Sequence, residues 1–429
     1  MNPISRFKTT LTMLAFAAFI PQLAQPQASV KGSRDTARAM AHQLVDVLQK
    51  NFYDPQMKGV DLKKALTDAE AKINATDRVG EMFGAIDEMV GKLDDSHTRF
   101  VPPEQTRQPK FGFQMKPFGA IVRVSKIEVG SAAEKAGLKV GDTIIGIDGI
   151  IADRQHYFHT LLYYRIVQPE EVMVIDRVVD GKPQRLTLQA DVPTRLAVEE
   201  RSASVFNYLD RVREAEISYK EHPFEFKVYG DVGYVRIPTF ASNMAESTLC
   251  KAKDSRALII DLRGNLGGRS EVLERFAGYF HKDTAEIFEA VSRQKTEKVI
   301  AKPRTPSFWD VPLVVLVDSE SASASEIFAR HIQLTGQGVV LGDKTMGAVS
   351  VARYYPEQIG INPWVNYGLE TTIARAIFPD GQDLEKMGVT PDKMCIPSAY
   401  ALSQKLDPCL DMALTELKQK VSRAQSEKN

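Results

Sequence analysis

Cysteine is scarce in this 429-residue chain: Cys250, Cys395 and Cys409 are too few for a disulfide framework and lack metal-ligand spacing. No metal site is apparent, and no cofactor is expected. Charge of a dominant sign is missing too. Lys and Arg total 55 against 55 for Asp and Glu, leaving no basic footprint for nucleic acid or an anionic membrane. The apolar run Leu11–Ile20 is only about ten residues long where a membrane span needs ~20. There is no internal repeat and no low-complexity tract. The glycine-rich stretch Gly264-Asn-Leu-Gly-Gly268 lacks both the Gly-x-Gly-x-x-Gly spacing and the Gly-Lys-Ser/Thr ending, which excludes a phosphate loop.

What is present is enough for two or three domains with real cores, with ordinary hydrophobic (43%) and charged (26%) fractions. Residues 1–28 read as a secretory leader. Arg6 and Lys8 supply the positive end, Leu11–Ile20 the apolar centre, and Gln27-Ala28 the small-residue cleavage point. A secreted or periplasmic protein with no stable membrane anchor after leader removal is expected. In an oxidising compartment Cys395 and Cys409 could pair and close the loop around Pro397–Pro408. Cys250 reads as a buried apolar residue.

The mature chain divides into four stretches. Residues 29–105 are helical in pattern, with Ala37, Met40, Leu44, Val47 and Leu48 at helix spacing and Met82, Ile86, Met89 and Leu93 likewise. The second helix gives way to Asp94-Asp-Ser-His-Thr-Arg-Phe100 and Pro102-Pro103, placing Ser96-His97 in a loop. Residues 106–195 are a strand-rich unit with a helical segment around His156–Arg165 and a hairpin through Asp180-Gly181. Residues 196–223 are a charged, helix-prone connector. From 224 to 429 strands and helices alternate, which argues an α/β core.

Two stretches of that core can carry chemistry. The apolar Val311–Val317 reads as a buried strand entering Asp318-Ser-Glu-Ser-Ala-Ser-Ala-Ser-Glu-Ile-Phe-Ala329, whose later part has helical spacing. A sharp strand-to-helix turn can lift a serine hydroxyl to a cleft mouth beside the first helical N–H groups. The same Ser323-Ala-Ser-Glu326 also fits a capping box with no catalytic role. The buried strand Ala257–Asp261 enters the glycine-rich stretch, whose N–H groups can donate to an oxyanion and admit an extended peptide.

Longer motifs carry two resemblances. Gly130-Ser-Ala-Ala…Ala-Gly-Leu…Gly-Asp-Thr-Ile144 resembles a PDZ domain of the kind inserted into exported proteases. The resemblance implies that the Phe111-Gly112-Phe113 loop offers N–H groups to a peptide's terminal carboxylate while the peptide adds as a strand. Asp261-Leu-Arg-Gly-Asn-Leu-Gly-Gly268, Ser321-Ala-Ser-Ala-Ser-Glu326, Thr345-Met-Gly347 and Gly388-Val-Thr-Pro-Asp392 recur, in that order, in the C-terminal processing (tail-specific) peptidases. Their relatives, the tricorn core protease and the interphotoreceptor retinoid-binding modules, share them. The resemblance implies an α/β (α+β) core of the ClpP/crotonase-like kind, with an inserted PDZ domain and an N-terminal helical region.

It also implies a nucleophile at Ser323 and oxyanion donors at the N–H groups of Gly268 and Ala324. The lysine base that follows the Thr-Xaa-Gly turn in the processing peptidases is here Ala348, and Lys344 precedes the turn. The tricorn-like branch uses a histidine instead, which falls on His97, with Ser96 beside it and Glu385 as its assistant. Neutral His97 can take the Ser323 proton and return it to the leaving amine. Asp94 and Asp95 are competing orienters. His331 reads as structural, while His156 and His159 border the PDZ groove. The expected activity is serine endopeptidase, acting on protein or peptide substrates with free C-termini. The rival reading is a non-catalytic binding protein for a peptide or small apolar ligand, or a PDZ adaptor, on the same scaffold.

Overall fold

The computed structural model describes residues 30–103, 109–157, 160, 170–179, 181–192, 223–308, 310–360 and 364–426. The leader and nearly all of the 196–223 connector lie outside these, as does most of the helical segment expected after His156. Among the described residues no helix is long and apolar enough to cross a membrane.

The chain opens with three helices, α1 (Val30–Asn51), α2 (Leu62–Ala75) and α3 (Val79–Gly91). The apolar stripe read from the sequence is their shared face: Met40, Leu44, Leu48, Met82, Ile86 and Met89 are all buried together. Asp61 caps α2 by accepting from the Lys64 N–H. Strand β1 (Arg99–Val101) follows the Ser96-His97 loop at once.

The strand-rich unit comprises β2 (Phe113–Phe118), β3 (Ile121–Ile127), the short helix α4 (Ala132–Lys135), β4 (Thr143–Ile147), β5 (Ile150–Ile151), β6 (Val172–Val179) and β7 (Lys182–Gln189). They form one antiparallel sheet in the order β2-β3-β4-β6-β7, with β5 on β4. Strand β2 is therefore an edge.

The core supplies β8 (Glu225–Tyr229), β9 (Val232–Arg236), α5 (Met244–Leu249), β10 (Ala257–Asp261), α6 (Ser270–Gly278), β11 (Ala285–Ser292), β12 (Thr296–Ala301) and β13 (Leu313–Val317). After these come α7 (Ala324–Thr335), β14 (Gly338–Gly342), β15 (Val351–Ile359), β16 (Val365–Ile377), β17 (Lys393–Met394), α8 (Ala399–Ser403) and α9 (Pro408–Ser426). One sheet runs β17-β14-β13-β10-β9-β8, parallel from β17 to β9. Its central strands are apolar throughout because both faces are covered. Leu258, Ile260, Val315 and Val317 face α6 and α7, whereas Ala257, Ile259, Val314 and Leu316 face α9. The second sheet, β1-β16-β11-β12 with β15 on β16, carries the N-terminal helices through Phe100, Tyr367 and Leu369.

Two consequences position the site. β10 and β13 are neighbours in parallel register, Asp261 opposite Leu316, so the loops at their carboxyl ends emerge side by side. β1 and β15 both pair with β16, at Phe100↔Leu369 and Tyr355↔Leu369, so the residues before each strand reach one end of that sheet. Cys395 and Cys409 form a disulfide with Cα atoms 5.7 Å apart. Cys250 is free and half-buried, packed against the main core.

Candidate active site

Ser323 sits between β13 and α7 with φ 54° and ψ −121°, in a region that side chains other than glycine rarely adopt. Its N–H is shared between the Ala348 carbonyl at 2.7 Å and Glu326 Oε2 at 3.1 Å. Helix α7 begins on the next residue, and the capping box with Glu326 is formed. The two readings of this stretch are thus one structure, since the cap is what holds the elbow. The Ala324 N–H, first of the helix, has no acceptor among the described residues.

The glycine-rich loop lies directly against the elbow. A Cβ on Gly267 would fall 2.6 Å from Ser323 Cβ and 3.1 Å from the Ala324 nitrogen. Gly268 forms a parallel bridge with Phe240, made by Phe240 N–H to Gly267 O and Arg269 N–H to Phe240 O. In such a bridge the central residue's own N–H and C=O point away from the partner strand. The Gly268 N–H, exposed and without a described acceptor, is free for a ligand. Asn265, fully buried, fixes the loop. Its Oδ1 accepts from Gly267 N–H at 2.8 Å, its Nδ2 donates to Ile237 O, and its carbonyl accepts from Ala322 N–H and the Ser325 hydroxyl.

His97 enters from the N-terminal region. Its Nδ1 is 2.9 Å from Ser96 Oγ, and the Ser96 N–H donates to Glu385 Oε1 at 3.3 Å. The other Glu385 oxygen accepts from Val349 N–H, Ser350 N–H and the Ser350 hydroxyl at 3.2, 3.1 and 2.9 Å. Glu385 therefore reaches the histidine through Ser96, whose N–H it accepts and whose hydroxyl meets Nδ1. No hydrogen bond joins His97 to Ser323 among the described residues; with Nδ1 engaged, Nε2 is the atom left for a nucleophile. Asp95 holds the loop by accepting from His97 N–H, the Thr98 hydroxyl and the Thr372 hydroxyl, while Asp94 pairs with Lys386. Neither contacts the imidazole.

Lys344 belongs to a different place. It lines the cleft between the strand-rich unit and the core with Asp153, Arg154, Asp343 and Met394, and its carbonyl accepts from Arg154. His331 is buried, with its Nε2 2.6 Å from that of His281. Burial pushes His331 down to about 3, with His281 adding to the effect. His159 lies outside the described residues, and His156 pairs with Asp153 at the surface.

Phe111 and Phe113 pack half-buried on the core of the strand-rich unit. The Phe111 and Gly112 carbonyls accept from Ala133 and Glu128 N–H groups. Along β2, the Met115 carbonyl accepts from the Tyr157 hydroxyl at 2.7 Å and the Pro117 carbonyl from the Ser319 hydroxyl at 2.6 Å. Lys116 reaches across to Asp318 Oδ2 at 2.7 Å and Glu320 at 3.5 Å. Burial would lower the Lys116 pKa, but the two carboxylates outweigh it and hold the ammonium above its ordinary range. Asp318 in turn accepts from the Gly264 N–H at 2.9 Å, so one carboxylate touches the β2 edge, the glycine loop and the serine loop. The sequence carried no sign of this hub, whose partners lie 202 residues apart.

A strained serine at the end of a parallel strand, beside two unengaged N–H groups and within one hydrogen-bonded assembly with a histidine and a carboxylate, is the layout of acyl-transfer chemistry. Comparison with known proteins agrees. Residues 231–394 match peptidase family S41 and residues 103–156 match the PDZ domain. The carboxyl-terminal-processing protease of Picosynechococcus sp. is 28% identical over 347 residues, 75% of each chain. The processing protease CtpB of Bacillus subtilis is 28% identical over 338 residues, 74% of this chain and 64% of that one. Among solved structures, mature CPAF complexed with lactacystin superposes with a TM-score of 0.63 at 15% identity, covering 92% of this chain and 98% of its own, a likeness of fold. The chain is a serine peptidase. Its core is similar to peptidase family S41, its homologues are carboxyl-terminal processing proteases, and it carries a PDZ domain. The non-catalytic alternatives are set aside accordingly.

Proposed function

We propose that the protein is an exported endopeptidase in which Ser323 attacks the peptide carbonyl, His97 is the base, and Glu385 with Ser96 orients the imidazole. The carrying observation is the unbroken path from His97 Nδ1 through Ser96 to Glu385, and from Glu385 through residues 348–350 to the Ser323 N–H. On this reading His97 Nε2 takes the Ser323 proton as the Oγ–C bond forms. The tetrahedral oxyanion is received by the Gly268 and Ala324 N–H groups, and the proton passes to the leaving amine. Ala348, 5% exposed, stands where the processing peptidases carry their lysine, which leaves a lysine base without a candidate there.

The PDZ domain recognises substrate C-termini at Phe111–Phe113 and extends the peptide along the β2 edge. The Phe111 and Gly112 N–H groups, without an acceptor among the described residues, support the carboxylate end of that site. A peptide running further along β2 meets Pro117, which has no N–H and whose carbonyl is held by Ser319, three residues before Ala322 and the elbow.

The test is fluorophosphonate labelling of the protein beside Ser323→Ala and His97→Ala, with and without a C-terminal peptide. Label on wild type and on neither variant is expected. Near-normal labelling and turnover in His97→Ala would overturn the base assignment.

A further inference from the structure

Glu326 is wholly buried, 0% exposed, which is foreign to a capping-box glutamate on a surface helix. A cap needs this side chain to accept once, from the N-cap N–H. Here it accepts four times. Oε1 receives the Thr345 hydroxyl at 2.5 Å and the Gly347 N–H at 2.7 Å; Oε2 receives the Ala348 N–H at 2.8 Å and the Ser323 N–H at 3.1 Å. The next two N–H groups along the chain, Val349 and Ser350, both go to Glu385 Oε2. Four consecutive backbone donors are thus divided between two carboxylates, one on the nucleophile helix and one that orients the histidine loop. The segment is tied at two further points, by Ser323 N–H to Ala348 O at 2.7 Å and by Lys386 N–H to Gly347 O at 2.7 Å.

We infer that residues 347–350 form a strap setting the distance between nucleophile and acid, and that Glu326 is a positioning residue for the peptidase reaction. The inference rests on the Ser323–His97–Glu385 reading and adds to it the part that holds the two halves in register. Glu326 touches no reacting atom. In its ionised form it offers an acceptor-only group to four donors, which glutamine cannot copy. An amide NH2 in place of either oxygen would face two donors and accept from neither. Ser350 plays the matching part on the Glu385 side, giving both its N–H and its hydroxyl to one oxygen.

The experiment measures kcat and KM on an internally quenched peptide for Glu326→Gln, Glu385→Gln, the double variant and Ser350→Ala, beside Ser323→Ala and His97→Ala. Circular dichroism checks the fold of each. Glu326→Gln is expected to lose about 100-fold in kcat with KM within about twofold, the signature of a misplaced catalytic group and intact binding. The double variant is expected to be no slower than the worse single variant, because both act on one strap. Wild-type kcat in Glu326→Gln, or losses that multiply in the double variant, would overturn the strap. If Glu326→Gln does not fold, Ser350→Ala carries the test, with about a tenfold loss in kcat at constant KM expected and none overturning the inference. Turnover retained in His97→Ala would instead overturn the reading beneath it, so the two failures are told apart.

Discussion

Replacing Gly267 by alanine tests the contact between the glycine-rich loop and the serine elbow. The new Cβ would lie 2.6 Å from Ser323 Cβ, and ordinary contact begins near 3.4 Å, so about 0.8 Å must be absorbed. Ala322 O at 3.0 Å and Ala324 N at 3.1 Å close the other directions. The backbone adds its own penalty, because φ is +100°, where an L-residue costs about 1–2 kcal/mol. Overpacking of a tight interior costs typically about 1–3 kcal/mol. A stability loss of about 2–5 kcal/mol follows by urea denaturation. Either the serine or the neighbouring Gly268 N–H must yield, and a misplacement near 1 Å is worth about 100-fold in rate. The fluorophosphonate labelling rate should therefore fall by that order. Gly336→Ala separates the two causes: it also has positive φ, +67°, but nothing within 4 Å of its new Cβ. It should lose about 1 kcal/mol and keep its labelling rate. A Gly267→Ala protein that labels like wild type would refute the packing of loop on elbow.

Three other outcomes follow. His281 and His331 are both held neutral by burial, with folded pKa values below the unfolded value near 6.5, so their contribution to stability is full above that pH. It is lost as pH falls below it, about 2 kcal/mol for His331 by pH 5; the difference in denaturation midpoint between wild type and a His281→Phe/His331→Leu variant should show this, and a flat difference would contradict it. Arg263 is forked between the wholly buried Asp261 and Asp407. Asp261→Ala leaves Arg263 with Asp407 alone and takes away the carboxylate of Arg236 and the acceptor of the Tyr234 hydroxyl, and should cost about 3–5 kcal/mol, against about 1–3 kcal/mol for Asp407→Ala, with the order of the two urea midpoints as the check. Opening the disulfide, whose cysteines are 14 residues apart, should cost about 3 kcal/mol, read as a lower midpoint for Cys395→Ser/Cys409→Ser.

Much of the architecture was written locally. Ala257–Asp261 and Val311–Val317 are short apolar runs entering small-residue turns, and these are the two central strands whose ends frame the cleft. The helix stripes of the first domain were equally plain, because burial of one face leaves a 3.6-residue signature. Glu326 was not legible in the same way. Three residues past a serine it reads as half a capping box, and nothing in that pattern distinguishes an exposed cap from a buried carboxylate with four donors. Burial and hydrogen bonding oppose each other there, and the balance pushes Glu326 up to about 7. The Lys116–Asp318 contact and the Cys395–Cys409 bridge depend on distances that no local pattern encodes.

The attachment of the PDZ domain bears on how freely such modules can be exchanged. Its edge strand is fastened to the serine loop by Lys116 and the Pro117 carbonyl. A second fastening, Gly119 N–H and Arg154 on Asp343, lies beside the Thr345–Gly347 turn. A recognition domain transplanted from another protease would bring its own groove yet leave Asp318 and Asp343 without their cations. Swapping specificity in this protein thus means redesigning inside the existing domain, since its boundary with the catalytic core is a shared electrostatic seam.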